Sequence, residues 1–549
     1  MRTLVPSGTR PHRNPPIAAA LAVSLAVALA AAASSCTGPA ARPISVGPVE
    51  GTLPLGWGPL PEERTETALA PGVTLTTIVR GIVSDNDHWT LSVLAQDAGV
   101  SVSLFPSLEQ AERAAAGLLD AGYRPVLRRE RNPDYADLPA GTIGYSVRLG
   151  SYATRDAAGP DMDALNRMGY RSFPVFTGED GDPTSGPWVV RILTIDPGIF
   201  DGVVGATHGA SVAGRSTVTD LALQSGALAA VNAGFFVMSP SDGVPGEPAG
   251  LFVDRGRILS EATNGRIAMA MFNRNEPGDA TRVRFQPLTT TMHLVIDGHR
   301  VRPVDGINRK PGVIRNCGGS GDFPTDLPMH DHTCTDPDEL VVLTPEFSSA
   351  TPAGDGVEAV VDSTGRVTGL RSRTGGGVPD GGLLVQGIGA EADWLAAHVP
   401  AGSSLRLETR VADARGETVT FDANDYAVNG GPGLVVNGRP DIRPVSDGLV
   451  HPQDPSFFLR WGVRRNPRTM AGVDNGDRIL LVTVDGHQPG YSVGVSLAEG
   501  AELMIGLGAV AAMNLDGGGS TAMAVHGRLV GTPSDPSGER AVGDAIVVR

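Results

Sequence analysis

Glycine and proline supply 72 and 43 of the 549 residues, and that punctuation limits what the chain can fold into. Glycine adds backbone freedom and proline removes an amide donor, so neither sits well inside long helices. A helical bundle or coiled coil is excluded. The combined fraction stays below the roughly 25–30% typical of low-complexity disorder, and 41% of the residues are hydrophobic, enough to bury cores. A turn-rich, strand-rich α+β protein is expected. At about 150 residues per domain the length allows three or four units. The formal net charge of −16 argues against a nucleic-acid partner, which needs basic surface to neutralise phosphates.

Residues 1–36 read as an address. Arg2, Arg10 and Arg13 precede an apolar run, Ile17 to Ala33, and then Ser34-Ser35-Cys36. A basic start, an apolar middle and a small-residue exit describe a secretory signal. An uncleaved N-terminal anchor is the alternative, the run being at the short limit for a span. Cys36 after Ala-Ser-Ser resembles a lipobox, which makes Cys36 a lipidation candidate. The chain is expected in the cell envelope, as a membrane-anchored lipoprotein or a secreted protein. It would touch the membrane only through its signal or lipid. Export permits disulfides, and Cys317 and Cys334 are expected to pair. The competing reading is a metal site built by those two cysteines with His330 and His332.

Residues 37–85 are rich in Pro and Gly and show little periodicity, so they read as a linker. A repeat follows over 86–180. His88-Trp89-Thr-Leu-Ser-Val-Leu and Gly144-Tyr145-Ser-Val-Arg-Leu-Gly alternate apolar and polar as strands do. Helical stretches follow from Ser107 through Leu119, opened by a capping-box pattern, and from Met162 to Met168. Both close on Gly-Tyr-Arg, at 122–124 and 169–171, and a strand containing Pro-Val comes next each time. Two such units predict a small ferredoxin-like β-α-β repeat domain, a four-stranded sheet with helices on one face. The string "YSVRLGSYATRDAA" and the "MGYRSFPV" after it resemble the SPOR domain, a cell-envelope module that binds peptidoglycan glycan strands. The resemblance implies that the helix-free sheet face carries the ligand.

From Trp188 to 549 the chain reads as a large strand-rich α+β catalytic domain. Two segments rhyme: a capped helix (Thr217, Ser496), a glycine, a buried strand, and then Asn232 or Asn514 at the strand exit. Polar groups at such exits can be held rigidly beside an open loop. After Asn514 come Asp516, Gly517, Gly518, Gly519, Ser520 and Thr521. Three glycines let the backbone approach a ligand closely, and successive amides can form an anion nest. The loop lacks the lysine of a phosphate-binding Walker A sequence. Further candidates are Asn429-Gly430, Arg468 and Asp474 in the cluster 466–474 that precedes the strand from Arg478, Asp485 at that strand's end, and Arg540 before the last strand.

The strings "AAVNAGFF", "NGGPGLVVNGR", "NPRTMAGVD", "LVTVDGHQPGYSVGVSLAE", "AAMNLDGGGSTAMAV" and "ERAVGDAIVV" resemble, in order, the phosphodiester glycosidase family. Residues about 300–420 fit poorly and read as an insertion holding the expected disulfide. The resemblance implies hydrolysis of a GlcNAc-1-phosphodiester-like sugar-1-phosphodiester at the anomeric C–O bond, in a cell-wall-associated glycopolymer. The SPOR-like module would hold the enzyme near peptidoglycan. Such a leaving group needs stabilisation of its developing charge more than full protonation, for which the Gly517–Gly519 nest, Ser520 and Arg468 or Arg540 are candidates. Asp516 and Asp485 are the expected catalytic carboxylates. Asn232, Asn429 and Asn514 would orient hydroxyls or phosphate oxygens. No cofactor is required, and a divalent cation is compatible but not indicated. Two other readings stand: a non-catalytic envelope protein binding glycan or phosphoglycan, and a metal-dependent phosphodiesterase.

Overall fold

The computed structural model describes residues 51–94, 104–273 and 280–549. The signal segment, with Cys36 and its expected lipidation, lies outside them. Among the described residues, no helix is long and apolar enough to cross a membrane. The architecture is α+β and strand-rich.

The small module has its four strands in the order Pro125–Asn132, Gly141–Tyr152, Trp89–Val93, Ser172–Phe176, all antiparallel. Ser107 caps the helix Leu108–Asp120 by accepting from the Gln110 amide, and Gly122 and Gly169 take positive φ after the two helices, as left-handed helix exits require. Leu91, Val93, Val147 and Leu149 pack against Ala111, Leu118 and Leu165 of those helices. The alternate residues of the same strands face the other way. That helix-free face is closed: Thr90, Ser92, Glu130, Ser146 and Arg148 are all buried. The expectation of an open ligand face there is corrected, because helix Pro455–Phe458 packs on strand 141–152 and turn Leu459–Val463 on strand 125–132.

The stretch 62–80, read as linker, is a β-hairpin (Glu62–Ala70 with Val73–Arg80) whose second strand pairs in register with Trp188–Ile195. Its first strand is almost wholly solvent-facing, so it lacks the apolar alternation by which a half-buried strand is recognised. The hairpin edges a sheet that continues through Ile479–Val484, Arg468–Asp474, Ala509–Asn514 and Gly433–Val436. A second sheet runs through Met523–Val525, Ala229–Asn232, Ala545–Val548 and Val204–Thr207. Leu193, Ala471, Leu481 and Met513 from the first sheet and Val231, Met523 and Ile546 from the second share one core. Helix Leu497–Gly506, closed at its start by the Ser496–Glu499 capping box, packs Ala501, Leu503 and Met504 into a separate core.

Residues 306–398 form a five-stranded sheet with its own core and the helix Gly389–His398. Beside it lies the short hairpin Ile314–Cys317/Met329–Cys334, joined by the Cys317–Cys334 disulfide. The disulfide removes the sulfurs from the alternative metal set with His330 and His332. Closing a loop with a sequence separation of 17 is worth about 3 kcal/mol in the chain-entropy model. Replacing both cysteines by serine should lower unfolding free energy in denaturant melts by about that amount; an unchanged midpoint would contradict it.

Candidate active site

Two strands from different sheets, 229–232 and 509–514, deliver Asn232 and Asn514 to the same place. Both side chains are fully buried and bond to backbone and neighbouring side chains. Asn232 Nδ2 donates to the Asp516 carbonyl at 2.7 Å, while its Oδ1 accepts from Thr469 Oγ1 at 2.5 Å and the Ala522 amide at 3.1 Å. Asn514 Nδ2 donates to the Gly431 carbonyl at 3.0 Å, and its Oδ1 receives Arg468 at 3.4 Å. Asn429 Oδ1 takes the Phe235 amide at 2.8 Å. These three amides pin loops rather than present groups to a ligand. Gly430 also serves packing: a Cβ there would lie 2.5 Å from Met513 Cε and 2.9 Å from the Asn514 carbonyl oxygen.

The loop so held carries Asp516 into a cavity of about 280 Å³. Gly517, Gly518, Gly519, Pro467, Arg468 and Arg540 line it on one side, and Phe235, His330, Asp331, Trp461 and His487 on others. The glycine run is not an open nest. Gly517 donates to Asp516 Oδ1 at 2.8 Å, Gly518 to the Pro467 carbonyl at 2.9 Å, Ser520 to Gly517 and Thr521 to Gly518. Only the Gly519 amide of this run stands outside those bonds. A Cβ on Gly519 would collide with Arg540 and Asp535, so glycine there permits the close approach of the arginine. Ser520 is buried, and its hydroxyl accepts from Arg540 at 3.4 Å. Thr521 is buried with its hydroxyl unpartnered.

Burial pushes the Asp516 carboxyl up to about 6, against the opposing pull of Ser520, the Gly517 amide and the Arg540 charge. Behind it Asp544, overlooked as a site residue although it lies in the "VGDA" string, is fully buried. It accepts the Gly234 amide at 2.7 Å and leaves Oδ2 without a partner. Burial, with the Asp516 charge adding to it, raises Asp544 to about 7. Asp485 is placed elsewhere. Its Oδ2 pairs with Arg191 at 2.7 Å and takes Tyr491 Oη at 2.9 Å and the Thr532 amide at 3.2 Å, and it does not line the cavity. Asp474 sits at the far end of strand 468–474 from Arg468, roughly 20 Å along the chain direction, and closes a turn through the Gly476 and Arg478 amides.

Positive charge enters the cavity unevenly. Arg540 grips Asp535 through two nitrogens at 2.8 and 2.9 Å, and Arg315 is paired with Asp331. Arg468 is buried and bonds only to neutral oxygens, of Val495, Trp461 and Asn514; burial lowers its pKa to about 10. Arg266 lies behind the Phe235 ring at 5.1 Å, bonds His330, and leaves Nε and one terminal nitrogen unpartnered. Burial and the adjacent Arg266 charge hold the His330 pKa well below its usual value, so that ring is neutral. Phe235, His330 and Trp461 stack around one another with centroids 4.3 and 4.6 Å apart.

His330, Asp331, Arg315 and Asn316 come from the disulfide-bonded hairpin. The stretch read as a poorly fitting insertion therefore supplies one wall of the cleft. Arg315 and Asn316 also line an adjoining cavity of about 190 Å³ with Glu247 and Asp305. Burial raises their carboxyls to about 8 and about 6. Among the described residues, the cleft carboxylates and imidazoles make no group of three able to share one ion. The acidic trio Asp322, Asp336 and Glu339 does, but these carboxylates hold the Gly318 and Gly319 amides, the Asp338 amide and Arg309.

Two regions of the chain match known families. The phosphodiester glycosidase family profile matches residues 355–549, and the SPOR domain profile matches 96–175. Over 83 residues the chain is 36% identical to N-acetylglucosamine-1-phosphodiester alpha-N-acetylglucosaminidase of Bos taurus, an alignment spanning 15% of the length of each. The crystal structure of a Burkholderia pseudomallei K96243 protein named for its expected export superposes with a TM-score of 0.82 at 31% identity, covering 91% of this chain and 98% of that one. A Synechocystis protein at 17% identity and TM-score 0.51, with 89% of this chain and 83% of that one covered, shares the fold. The chain thus carries a phosphodiester glycosidase domain over residues 355–549 and a SPOR domain over 96–175, and it aligns over nearly its whole length with the Burkholderia pseudomallei protein.

Proposed function

We propose that the Asp516 cleft hydrolyses a sugar-1-phosphodiester at the anomeric C–O bond, giving a free sugar and a phosphomonoester. The observation that carries this reading is a carboxyl of raised pKa facing the same cavity as a buried arginine that has only neutral partners. An unneutralised buried cation attracts a phosphate far more strongly than a surface one would, because the surrounding dielectric is low. Arg468 would take the charge that develops on the departing phosphate, with Arg540 and the Gly519 amide alongside. Asp331 is held by Arg315, so Asp516 is the cleft carboxylate left to meet the anomeric carbon or to deprotonate the attacking water. Phe235 and Trp461 offer apolar faces for a sugar ring. Asp485 drops out as second carboxylate, and Asp544 takes its place as a buried, proton-holding neighbour behind Asp516.

Export and action on a cell-wall-associated phosphoglycan belong to the same proposal. They are supported by the signal-like N-terminal sequence, the relative named for its expected export and the SPOR match. Peptidoglycan as a second partner would use the exposed remainder of the small module, since its helix-free face is covered.

Asp516→Asn should reduce kcat on a GlcNAc-1-phosphodiester by about 10²–10⁴-fold, and wild-type kcat should rise with pH through about 6. Near-wild-type turnover by the variant would overturn the assignment. Asp544 makes a separate stability prediction. Its carboxyl titrates near 3.9 when unfolded and at about 7 when folded, so the native state holds a proton that the unfolded chain has released. The Asp544 contribution therefore lowers stability as pH rises from about 4 to about 7 and is level above that window. Asp544→Asn should flatten this part of the Tm profile and raise Tm at pH 8 relative to wild type; a parallel profile would contradict the buried-proton account.

A further inference from the structure

The covered face of the small module lies against one particular wall of the cleft. After strand 172–176 the chain turns through Gly178, Glu179 and Asp180, and this turn bonds the segment that leads into the cavity. Arg464 donates to the Phe176 carbonyl at 3.2 Å and pairs with Asp180 at 3.2 Å. Asp180 in turn holds Arg148 of the buried sheet face at 3.2 Å. Arg465 gives its amide to the Glu179 carbonyl and its guanidinium to the Gly178 carbonyl, both at 2.8 Å. The next three residues, Asn466, Pro467 and Arg468, line the cavity, and the Pro467 carbonyl receives the Gly518 amide of the Asp516 loop at 2.9 Å. The turn 459–463, which carries Trp461, rests on the module's strand 125–132, and Tyr135 of the module packs edge-on against Phe458, ring centroids 5.8 Å apart.

Glu179 makes one contact that reaches the cleft directly. Its Oε1 lies 3.1 Å from Nδ1 of His487, a residue with φ +56 that lines the cavity. At that separation the carboxylate can orient the ring through Nδ1, leaving Nε2 as the free pole. We propose that the SPOR-matched module is a positioning element of the cleft: its helix-free face seats the Trp461 wall, and Glu179 aims His487 at the anionic part of the substrate. The role of His487 toward a phosphodiester rests on the function proposed above; the positioning itself does not. In this arrangement the module and the glycosidase domain work as one body, and the polar sheet face serves the chain itself.

The full chain is compared with Glu179→Ala and Glu179→Gln. Two readouts are used: the histidine ¹⁵N signals of His487, identified by their loss in His487→Gln, and calorimetric binding of a non-hydrolysable GlcNAc-1-phosphonate. Glu179→Ala should shift the His487 ring nitrogens and weaken phosphonate binding by about tenfold, the scale of one charge-assisted hydrogen bond. Glu179→Gln, which keeps an acceptor for Nδ1–H, should recover most of that affinity, and the Tm of both should stay close to wild type. A His487 signal indifferent to Glu179 would overturn the positioning proposal, as would a Tm collapse matched by equal loss in the glutamine variant. Wild-type protein that binds no phosphonate while its His487 signal still responds to Glu179 would defeat the substrate reading and leave the positioning intact.

Discussion

One buried side-chain amide links the two sheets that build the cleft. Asn232 leaves one sheet and holds Thr469 Oγ1 on a strand of the other and the Asp516 carbonyl just after one, together with the Ala522 amide at the start of a neighbouring strand of its own sheet. The Asp516 amide returns to the Ala233 carbonyl at 2.9 Å. Polar groups buried this deeply are costly unless every donor and acceptor is matched, and here they are matched across an intersheet junction. The junction fixes the loop backbone without using the carboxylate, which stays free to face the cavity. Asn514 and Asn429 do the same for the loops at 430–431 and 235.

That economy of polar partners explains the electrostatics of the cleft. An acidic protein holds an anion only if some cations lack acidic partners, and most arginines here have one. Arg468 and Arg266 do not: each is buried against neutral acceptors or aromatic faces. Asp516 and Asp544 are both raised by burial, as Glu247 and Asp305 are beside the adjoining cavity. A raised carboxyl, Asp516, and an arginine with only neutral partners, Arg468, lining one cavity are the pattern expected of a site selected for chemistry rather than for stability.

Much of this was legible in the sequence, and the failures share a cause. The helix caps at Ser107, Thr217 and Ser496, the positive-φ glycines at 122 and 169, and the disulfide follow from local rules that short strings carry. The Asp516 loop was legible because Asp-Gly-Gly-Gly-Ser-Thr is rare outside close backbone approaches. Asn232, Asn429 and Asn514 were expected to orient substrate groups, but whether an amide faces a ligand or a carbonyl depends on sequence-distant neighbours such as Asp516 for Asn232 and Phe235 for Asn429, which no local pattern holds. Asp485 was misplaced for the same reason: its partner Arg191 lies on a sequence-distant strand. His330 stood out only as a candidate metal ligand and Asp331 not at all, because they lie in a stretch that fits the family strings poorly, and the covered face of the small module could not be foreseen because the residues covering it lie some 300 positions later.

The central claim is that the Asp516 cleft breaks a carbon–oxygen bond at the anomeric centre and leaves phosphorus untouched. Hydrolysis of a GlcNAc-1-phosphodiester in oxygen-18 water measures this directly. The account predicts the label in the C1 hydroxyl of the released sugar and none in the phosphomonoester. Label in the phosphate would show attack at phosphorus and contradict it.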